Sequence, residues 1–413
     1  MNPHDFTLFI YNISLFPVIF FSVMFLILSI LNLLVERKKE VNFKPLKDLP
    51  FISVQIPSYN DPVAKRCVER CLDFDYPKDK YEIIIADDST NEETKNKLKQ
   101  LSEENPYSVK YTHRAHRHGY KAGALKDAMH LTKGDIIVIF DADWIPDRDF
   151  LKKIVKPFSD PKVAIVQTRQ GFYNKDTNLI SRFASYVLMA YHTIIMPINN
   201  KVNCVFFCGT AGAIRRKMFD EVGGWNLNSI TEDSDLTVRL LIKGYKTIYL
   251  DFETPSEVPI TFESFIKQQM RWCYGNVRVF IDNASKILFK KGLTLKQRAM
   301  VIYVTIGNVI APIIILMTIF GFGGWFIGEP ELMNWQNFSE LLLRVLLTAG
   351  FIVMGMLALH KTKQLKEFPY MVLSIFTIGL VLAVANSIAF FKAVFNKELN
   401  WYCTTKDAND GFV

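Results

Sequence analysis

Four long apolar stretches interrupt an otherwise mixed sequence of 413 residues. They run from Phe6 to Val35, over 299–328, over 341–359 with Arg344 as the only charge, and over 368–391. A helix of about 20 apolar residues crosses the hydrocarbon core of a bilayer. The pattern therefore predicts an N-terminal transmembrane helix within 1–40 and transmembrane or interfacial helices over 299–395. A secretory signal peptide is the alternative for the first stretch, but its apolar part is longer than a signal core and lacks a small-residue cleavage pattern.

Basic clusters lie only at those ends of the stretches that would face the same side of a membrane. Arg37, Lys38 and Lys39 follow the first stretch, four Lys and Arg over 290–298 precede the second, and the loop 328–340 contains neither residue. By the positive-inside rule the N-terminus lies outside and the region between the first two stretches is cytoplasmic. The sequence thus predicts a multi-pass protein of the cell membrane, with the lipid bilayer as a partner.

The intervening region has the rhythm of an α/β domain. Short apolar runs, separated by helical patterns, occupy Phe51–Ile56, Glu82–Ala86, Ile136–Phe140 and Val163–Gln167. This alternation predicts a mostly parallel sheet in one domain over 50–260. The segment Leu179–Ile198, which is uncharged after Arg182, is predicted to be interfacial or core. Pro197 and neighbouring Asn residues end it, and a crossing there would place the motifs described below on opposite sides of the membrane.

Acidic residues follow two of these runs. Asp87 and Asp88 come after the second, and Asp141 and Asp143 come after the third. Ligands of parallel sheets bind at the carboxyl ends of strands, and paired carboxylates suit Mg²⁺ or Mn²⁺. A solvated turn is the alternative for the Asp-Ala-Asp segment taken alone.

A glycine-containing segment, Gly119–Leu125, is predicted to begin a helix. Its Lys121 and backbone N–H groups are suited to receive phosphate. The glycine spacing differs from a dinucleotide fingerprint. Metal sites built from the cysteine pairs Cys67/Cys71 and Cys204/Cys208, or from three nearby histidines, are weaker alternatives, because the spacing is unspecific.

The overall composition adds little to these local patterns. The 49 Lys and Arg against 41 Asp and Glu give a net charge of +8. We interpret this positive excess as a mark of membrane topology, because basic residues collect on the cytoplasmic side, and as attraction to anionic lipid. Nucleic acid is not predicted as a partner, because no recognisable nucleic-acid module accompanies the charge.

Four motifs together resemble the family-2 glycosyltransferases, the inverting group that includes cellulose, mannan and hyaluronan synthases. The motifs are Asp87-Asp88-Ser89, Asp141-Ala142-Asp143, Thr231-Glu232-Asp233 and Gln268-Gln269-Met270-Arg271-Trp272. Two further segments, Gly119–Leu125 and Phe206–Gly212, are similar to the cellulose-synthase-like and glucomannan (mannan) synthase-like branch. The resemblance implies a GT-A type, Rossmann-like nucleotide-sugar-binding cytoplasmic domain between transmembrane helices. It also implies amphipathic interfacial helices over 261–298.

The resemblance also implies a role for each matching residue. Asp233 resembles the catalytic general base, and Asp141 and Asp143 resemble the metal and diphosphate ligands. Residues implied to bind the nucleotide sugar are Asp87, Asp88, Lys121 and Asp141. Residues implied to contact the acceptor are Cys208, Gly209, Thr210, Glu232 and Trp272, with Gln268 and Arg271 in a motif between diphosphate and acceptor. The tail 396–413 resembles a gating loop through Trp401, Thr404 and Lys406.

The expected function is a membrane-embedded inverting hexosyltransferase. It would use a UDP-glucose or GDP-mannose type of donor with Mg²⁺ or Mn²⁺ and extend a β-linked polysaccharide. The alternative is a glycolipid synthase that adds one sugar to a ceramide, diacylglycerol or polyprenyl acceptor. A transporter or receptor with a nucleotide-binding domain explains the apolar stretches but not the acidic motifs. The sequence leaves homo-oligomerisation open.

The side of the membrane on which the tail lies depends on the last apolar stretch. If 368–391 spans the bilayer, the gating-loop motif lies outside. If 368–391 lies along the interface, as the resemblance implies, the tail stays with the catalytic domain. We expect the second arrangement.

Overall fold

The computed structural model describes residues 1–34, 43–328 and 335–399. The basic cluster at 37–39 and the predicted gating-loop residues Trp401, Thr404 and Lys406 lie outside the described residues.

A seven-stranded mixed sheet forms the centre of the domain between the apolar helices. Its strands are β1 (Ile52–Ser58), β2 (Tyr81–Asp87), β3 (Val109–His113), β4 (Ile136–Ile139), β5 (Val163–Phe172), β6 (Gly212–Arg215) and β7 (Lys246–Ser256). They lie in the order β3-β2-β1-β4-β6-β5-β7. The pairs among β1 to β4 and the β5–β7 pair are parallel, and β6 runs antiparallel to both of its neighbours. The four predicted strands are confirmed, and the mostly parallel sheet is confirmed apart from β6.

Helices cover both faces of the sheet. The helices of the described residues are α1 (Pro3–Leu34), α2 (Ala64–Leu72), α3 (Glu92–Glu104), α4 (Tyr120–Ala128), α5 (Phe150–Ile154), α6 (Leu179–Ala190), α7 (Met196–Lys201), α8 (Arg216–Glu221), α9 (Glu232–Ile242), α10 (Phe262–Phe289), α11 (Leu295–Ile306), α12 (Ile310–Ile327), α13 (Trp335–Thr348), α14 (Gly350–Lys361) and α15 (Phe368–Val394). A π-helical turn, Tyr191–Ile195, joins α6 to α7.

The sheet is buried on both faces, which explains the continuous apolar runs in its central strands. Ile83, Ile84 and Ile85 of β2 are all fully buried, although successive side chains of a strand point to opposite faces. On one face the ring of Phe140 packs against that of Phe150, with 4.8 Å between their centroids. Burying each such side chain stabilises the fold by about 1.5–3 kcal/mol.

Within the described residues, four helical segments are long and apolar enough to cross a membrane. They are Pro3–Leu34, Leu179–Lys201, Leu295–Ile327 and Leu365–Val394. The third apolar stretch predicted from the sequence is instead divided at Ala349 into α13 and α14, which meet at 55° and make a fifth segment if they act as one span. Leu179–Lys201 is buried within the protein over 61% of its most apolar window, as a core or interfacial segment would be.

Three of the apolar helices form a bundle whose ends align. His4 Nδ1 lies 3.2 Å from the Gly324 carbonyl, so α1 and α12 run in opposite directions. Lys361 at the end of α14 bonds to Asn32 near the end of α1. Asn32 also donates to the Ile194 carbonyl in the π-helical turn at 2.9 Å. The C-terminal ends of α1 and α14 therefore meet the α/β domain.

Helix α15 contacts the domain at both of its ends. Just before its first turn, Glu367 accepts a hydrogen bond from Tyr186 of α6 at 2.8 Å. Near its last turn, the Ala393 carbonyl accepts from Arg278 of α10 at 3.3 Å. Helix α15 thus runs alongside α6 and α10.

Candidate active site

A cleft with an internal volume of about 200 Å³ lies at the carboxyl ends of β1, β2 and β4, bounded by α9 and α10. Eleven of the residues predicted for the site line it: Asp88, Lys121, Asp141, Asp143, Cys208, Thr210, Glu232, Asp233, Gln268, Arg271 and Trp272. Asp87 and Gly209 lie outside the lining. Seven acidic and three basic side chains make up its charged wall.

The two aspartates after β2 have different surroundings. The buried Asp87 carboxylate accepts hydrogen bonds from Tyr111 Oη at 2.8 Å and from the Ser89 N–H at 3.0 Å, and lies 3.2 Å from His113 Nδ1. Asp88 faces the cleft, where Arg114 donates to both of its oxygens. Of the two candidates for contacting the nucleotide, Asp88 lines the cleft. Asp87 instead bonds to Ser89 in the loop after β2 and to Tyr111 of β3.

The segment Phe206–Thr210 contacts both Lys121 and Asp141 in the cleft. The Gly209 carbonyl accepts a hydrogen bond from Lys121 Nζ at 2.9 Å, and Thr210 Oγ1 accepts one from the Asp141 N–H at 2.9 Å. Gly209 has φ +75°, and a Cβ there would stand 3.0 Å from Asp233 Oδ2. Glycine is therefore required by both backbone conformation and space.

Lys121 lies among three acidic side chains of the cleft. Its Nζ is 2.7 Å from Asp141 Oδ1. Burial acts to lower the pKa of Lys121, but the negative charges of Asp141, Glu232 and Asp233 outweigh that effect and raise it. Lys121 therefore carries its positive charge at physiological pH, as the sequence motif predicts.

Asp141 and Asp143 provide a donor set that fits a hard divalent cation. Both side chains line the cleft, and Asp143 Oδ2 is held by the Glu257 N–H at 3.1 Å. Two carboxylates are the usual protein contribution to Mg²⁺ or Mn²⁺ when phosphate oxygens supply further ligands. Within 1–34, 43–328 and 335–399, no group of three or more His, Cys, Asp or Glu side chains is arranged to hold a metal. The cysteine pairs and the histidines before Gly119 form no such group there.

Asp233 lies in the first turn of α9 and faces the cleft. Burial raises its pKa to about 7, and the neighbouring Glu232 charge adds to the rise. Lys121, the Ser234 N–H bond and Arg271 act in the opposite direction. The sequence-based hypothesis that Glu232 raises this pKa thus agrees with the structure, but burial is the larger cause.

Helix α10 brings the Gln-x-x-Arg-Trp motif to the opposite wall. Gln268 Oε1 and Arg271 Nε are buried and have no hydrogen-bond partner among the described residues. A Cβ at Gly275 would stand 2.3 Å from the Thr231 methyl group, so α10 approaches the start of α9 closely. The same helix, Phe262–Phe289, lies within the segment 261–298, for which interfacial helices stay a prediction.

Two pairs of contacting residues in the cleft wall belong to none of the sequence motifs. Arg117 lies over the Tyr59 ring at 3.2 Å from its centroid, and both line the cleft. Glu257, which also lines the cleft, bonds to Tyr173, and Arg66 donates to the same Tyr173 oxygen. These residues come from α2 and from separate loops, so no local spacing connects them in the sequence.

A family profile described as glycosyltransferase-like family 2 matches residues 50–275, which is more than half of the chain. The chain belongs to this family. The resemblance deduced from the four motifs is thereby confirmed.

Curated plant proteins are similar over the same region. Glucomannan 4-beta-mannosyltransferase 9 of Arabidopsis thaliana is 34% identical over 288 residues, which cover 65% of this chain and 54% of that protein. Probable glucomannan 4-beta-mannosyltransferase 7 of Oryza sativa subsp. japonica is 34% identical over 281 residues, covering 65% and 48%. The chain thus spans about half the length of the curated relatives it matches.

A solved structure shares the fold over nearly the whole chain. It is the mannosyltransferase PcManGT from Pyrobaculum calidifontis, solved in complex with GDP-Man and Mn²⁺. The TM-score is 0.66 at 20% identity, covering 94% of this chain and 99% of that chain. The predicted GT-A type α/β fold is confirmed.

Proposed function

We propose that this chain is a membrane-embedded inverting glycosyltransferase that transfers a hexose from a nucleotide sugar to the end of a growing β-linked polysaccharide. The observation that carries the proposal is the cleft itself. A carboxylate with a pKa near 7, Asp233, shares it with the carboxylate pair Asp141 and Asp143 and with the cations Lys121 and Arg271. An inverting transfer needs these three kinds of group together.

The proposed reaction forms one C–O bond, breaks one C–O bond and transfers one proton. The acceptor hydroxyl oxygen attacks the anomeric carbon while the bond from that carbon to the donor diphosphate breaks on the opposite side. Asp233 takes the hydroxyl proton, a role suited to a carboxylate whose pKa lies near the operating pH. Lys121 and Arg271 stabilise the negative charge of the departing diphosphate. Trp272 offers a flat apolar face to a sugar ring.

A divalent cation is part of this proposal. Asp141 and Asp143 would hold Mg²⁺ or Mn²⁺, which when bound neutralises charge on the diphosphate leaving group. The fold neighbour was solved with Mn²⁺, which supports a divalent metal. Asp143 is held through the Glu257 N–H, so the carboxylate is oriented by the protein.

We propose GDP-mannose as the donor to test first. The curated relatives are named as mannosyltransferases, and the fold neighbour was solved with GDP-Man. UDP-glucose is the comparison donor, because the motifs themselves suit either nucleotide.

We also propose that the domain faces the cytoplasm and that α15 lies along the membrane interface. The basic segments at 290–298 and 360–366 support the first part. The contacts of both ends of α15 with α6 and α10 support the second. In this arrangement α1, α12 and the α13–α14 pair cross the bilayer.

The test is donor turnover by the purified full chain in lipid nanodiscs. Radiolabelled GDP-mannose and UDP-glucose are supplied with Mn²⁺, with Mg²⁺ or with chelator, and the products are sized and digested with a β-mannanase. A mannanase-sensitive ladder from GDP-mannose supports the proposal. A single organic-extractable product would support a glycolipid synthase instead, and no transfer from either donor would contradict both.

A further inference from the structure

A second and larger groove, of about 1300 Å³, lies on the other side of the β5–β7 pair. Its walls include these two strands, Asn32 at the end of α1 and Lys363 just after α14. Gln170 and Phe172 of β5 line both this groove and the catalytic cleft. The groove is therefore placed between the ends of two proposed transmembrane helices and the wall of the candidate active site.

The charge of this groove is opposite to that of the catalytic cleft. Nine Lys and Arg side chains line it against two acidic ones. Arg169 is neutralised by ion pairs with Asp251 and Glu253. Four others, Lys44, Lys156, Lys201 and Lys363, form no ion pair with any residue of the described part of the chain. Such a concentration of uncompensated positive charge is suited to an anionic ligand.

A buried histidine gives a second, independent indication of a ligand. His192 lines the groove but is only 1% exposed, and its Nε2 has no hydrogen-bond partner among the described residues. A buried polar atom without a partner destabilises the folded protein. His192 lies in the π-helical turn Tyr191–Ile195, and such turns occur frequently at functional sites.

We propose that this groove binds the phosphate headgroup of an anionic phospholipid from the leaflet next to the α/β domain. The position decides the class of ligand. Asn32 and Lys361 bring the ends of α1 and α14 to the rim of the groove, where lipid headgroups lie if these helices span the bilayer. Lysines near such a surface attract anionic lipid electrostatically. The inference rests on the proposed membrane embedding and not on the transfer reaction.

Headgroup binding is expected to affect the catalytic cleft through the wall that the two cavities share. Strand β5 pairs with β7 at Gln170 and Phe172, and β7 leads directly into Glu257, whose N–H holds Asp143. An occupied groove therefore stabilises the strand pair that positions Asp143. We expect donor turnover to be severalfold faster in nanodiscs containing phosphatidylglycerol than in phosphatidylcholine alone.

Lipid binding itself is measured by native mass spectrometry of the full chain released from detergent, with phosphatidylglycerol or phosphatidylcholine added. The test variant combines Lys156→Gln, Lys201→Gln and Lys363→Gln. The matched control combines Lys126→Gln, Lys133→Gln and Lys217→Gln, which remove the same charge from exposed lysines outside the groove. We expect wild type and control to retain phosphatidylglycerol at least tenfold more strongly than phosphatidylcholine, and the test variant to lose at least fivefold of that preference.

Equal retention by the test variant and wild type would overturn the proposal, and so would displacement of phosphatidylglycerol by millimolar inorganic phosphate, which indicates an ion site. If the triple variant does not fold, Lys201→Gln and Lys363→Gln are measured singly, each expected to lose about twofold. Normal donor turnover without a lipid preference contradicts only this inference. Lipid preference without donor turnover contradicts only the proposed reaction.

Discussion

Asp233 is the residue whose protonation state the proposed chemistry requires. Its pKa of about 7 means that the base is half ionised near neutrality. We therefore expect kcat/KM for the donor to rise about tenfold per pH unit below pH 7 and to level off above it. Asp233→Asn should lower kcat by about 10²–10⁴ while leaving donor binding within threefold, and should abolish this rising limb.

The control for this prediction is Asp220→Asn, because Asp220 is exposed on α8 and outside the cleft. Both variants are assayed across pH 5.5 to 8.5 by product formation, and donor binding is followed separately by calorimetry. Substantial turnover by Asp233→Asn with an unchanged pH profile would contradict the assignment of the base.

The same raised pKa predicts a pH-dependent stability. Relative to the ordinary value of 3.8, a folded-state pKa of about 7 means that the folded protein binds more protons than the unfolded chain between these values. Stability is therefore lost as pH rises through this window. Asp233→Asn removes the buried charge and with it this loss of stability. The thermal midpoint of the variant minus that of wild type should therefore grow by a few degrees between pH 5 and pH 8. A constant difference in scanning fluorimetry would contradict the burial of the charge.

The carboxylate pair predicts a metal-dependent nucleotide affinity. Asp143→Asn should raise the Mn²⁺ concentration needed for half-maximal GDP binding at least tenfold, because one charged ligand is lost. Asp147→Asn is the matched control, since Asp147 is exposed in the same loop and absent from the cleft lining. Calorimetry that shows the same Mn²⁺ dependence in both variants would count against this pair as the metal site.

At the scale of single residues, the sequence identified the side chains that belong to compact motifs. Asp141 and Asp143 are one residue apart, so a strand end places both at once. No motif indicated Arg117 or Glu257, because contacts with Tyr59 and Tyr173, which are distant in sequence, hold these side chains at the cleft. A choice between Asp87 and Asp88 also required the structure, because it depends on Tyr111 of the neighbouring strand.

At the scale of elements, the segment Phe206–Thr210 places Gly209, with φ +75°, next to the side chains of Asp233 and Lys121. Gly209→Ala introduces strain at φ +75° and places a methyl group 3.0 Å from Asp233 Oδ2 and 3.2 Å from Lys121 Nζ. Gly223→Ala introduces similar strain at φ +87°, but nothing lies within 4 Å of its Cβ. Each substitution should cost about 1–2 kcal/mol of stability from the backbone alone.

Only Gly209→Ala should also disturb the catalytic groups, so we expect its kcat to fall at least tenfold while Gly223→Ala keeps near-normal kcat. Thermal midpoints and steady-state rates of the two variants measure the two effects separately. Equal rates at equal stability would show that the Gly209 segment does not position Asp233.

The strands differ in how visible they are in the sequence. β1, β2, β4 and β5 begin with apolar runs because both sheet faces are covered there. In β3 only Val109 is buried, and β6 has the sequence Gly-Ala-Ile-Arg with a single large apolar residue, so neither gives a clear pattern. β7 alternates between buried and partly exposed positions as an edge strand, and its pairing with β5 depends on contacts that hydrophobicity does not encode.

For the whole molecule, hydropathy located the apolar segments but not their arrangement. Leu179–Lys201 and Leu365–Val394 both pass the length and composition criteria for a span, yet the first is largely covered by protein and the second contacts the domain at both ends. A helix that lies along an interface and one that crosses a bilayer can have the same composition. For α15 the neighbours of its two ends, Tyr186 and Arg278, are the observation that supports the proposed interfacial position.

The proposed topology predicts the accessibility of three positions to an impermeant thiol reagent in sealed right-side-out vesicles. Asn2→Cys lies before the first span and should react without permeabilisation. Asn396→Cys, exposed just after α15, should react only after permeabilisation, as should the control Lys217→Cys on the α/β domain. The five cysteines in the described residues are buried or half-buried, and wild type measures the background, including any labelling of Cys403. Labelling of Asn396→Cys from outside, with Lys217→Cys protected, would show that α15 crosses the bilayer.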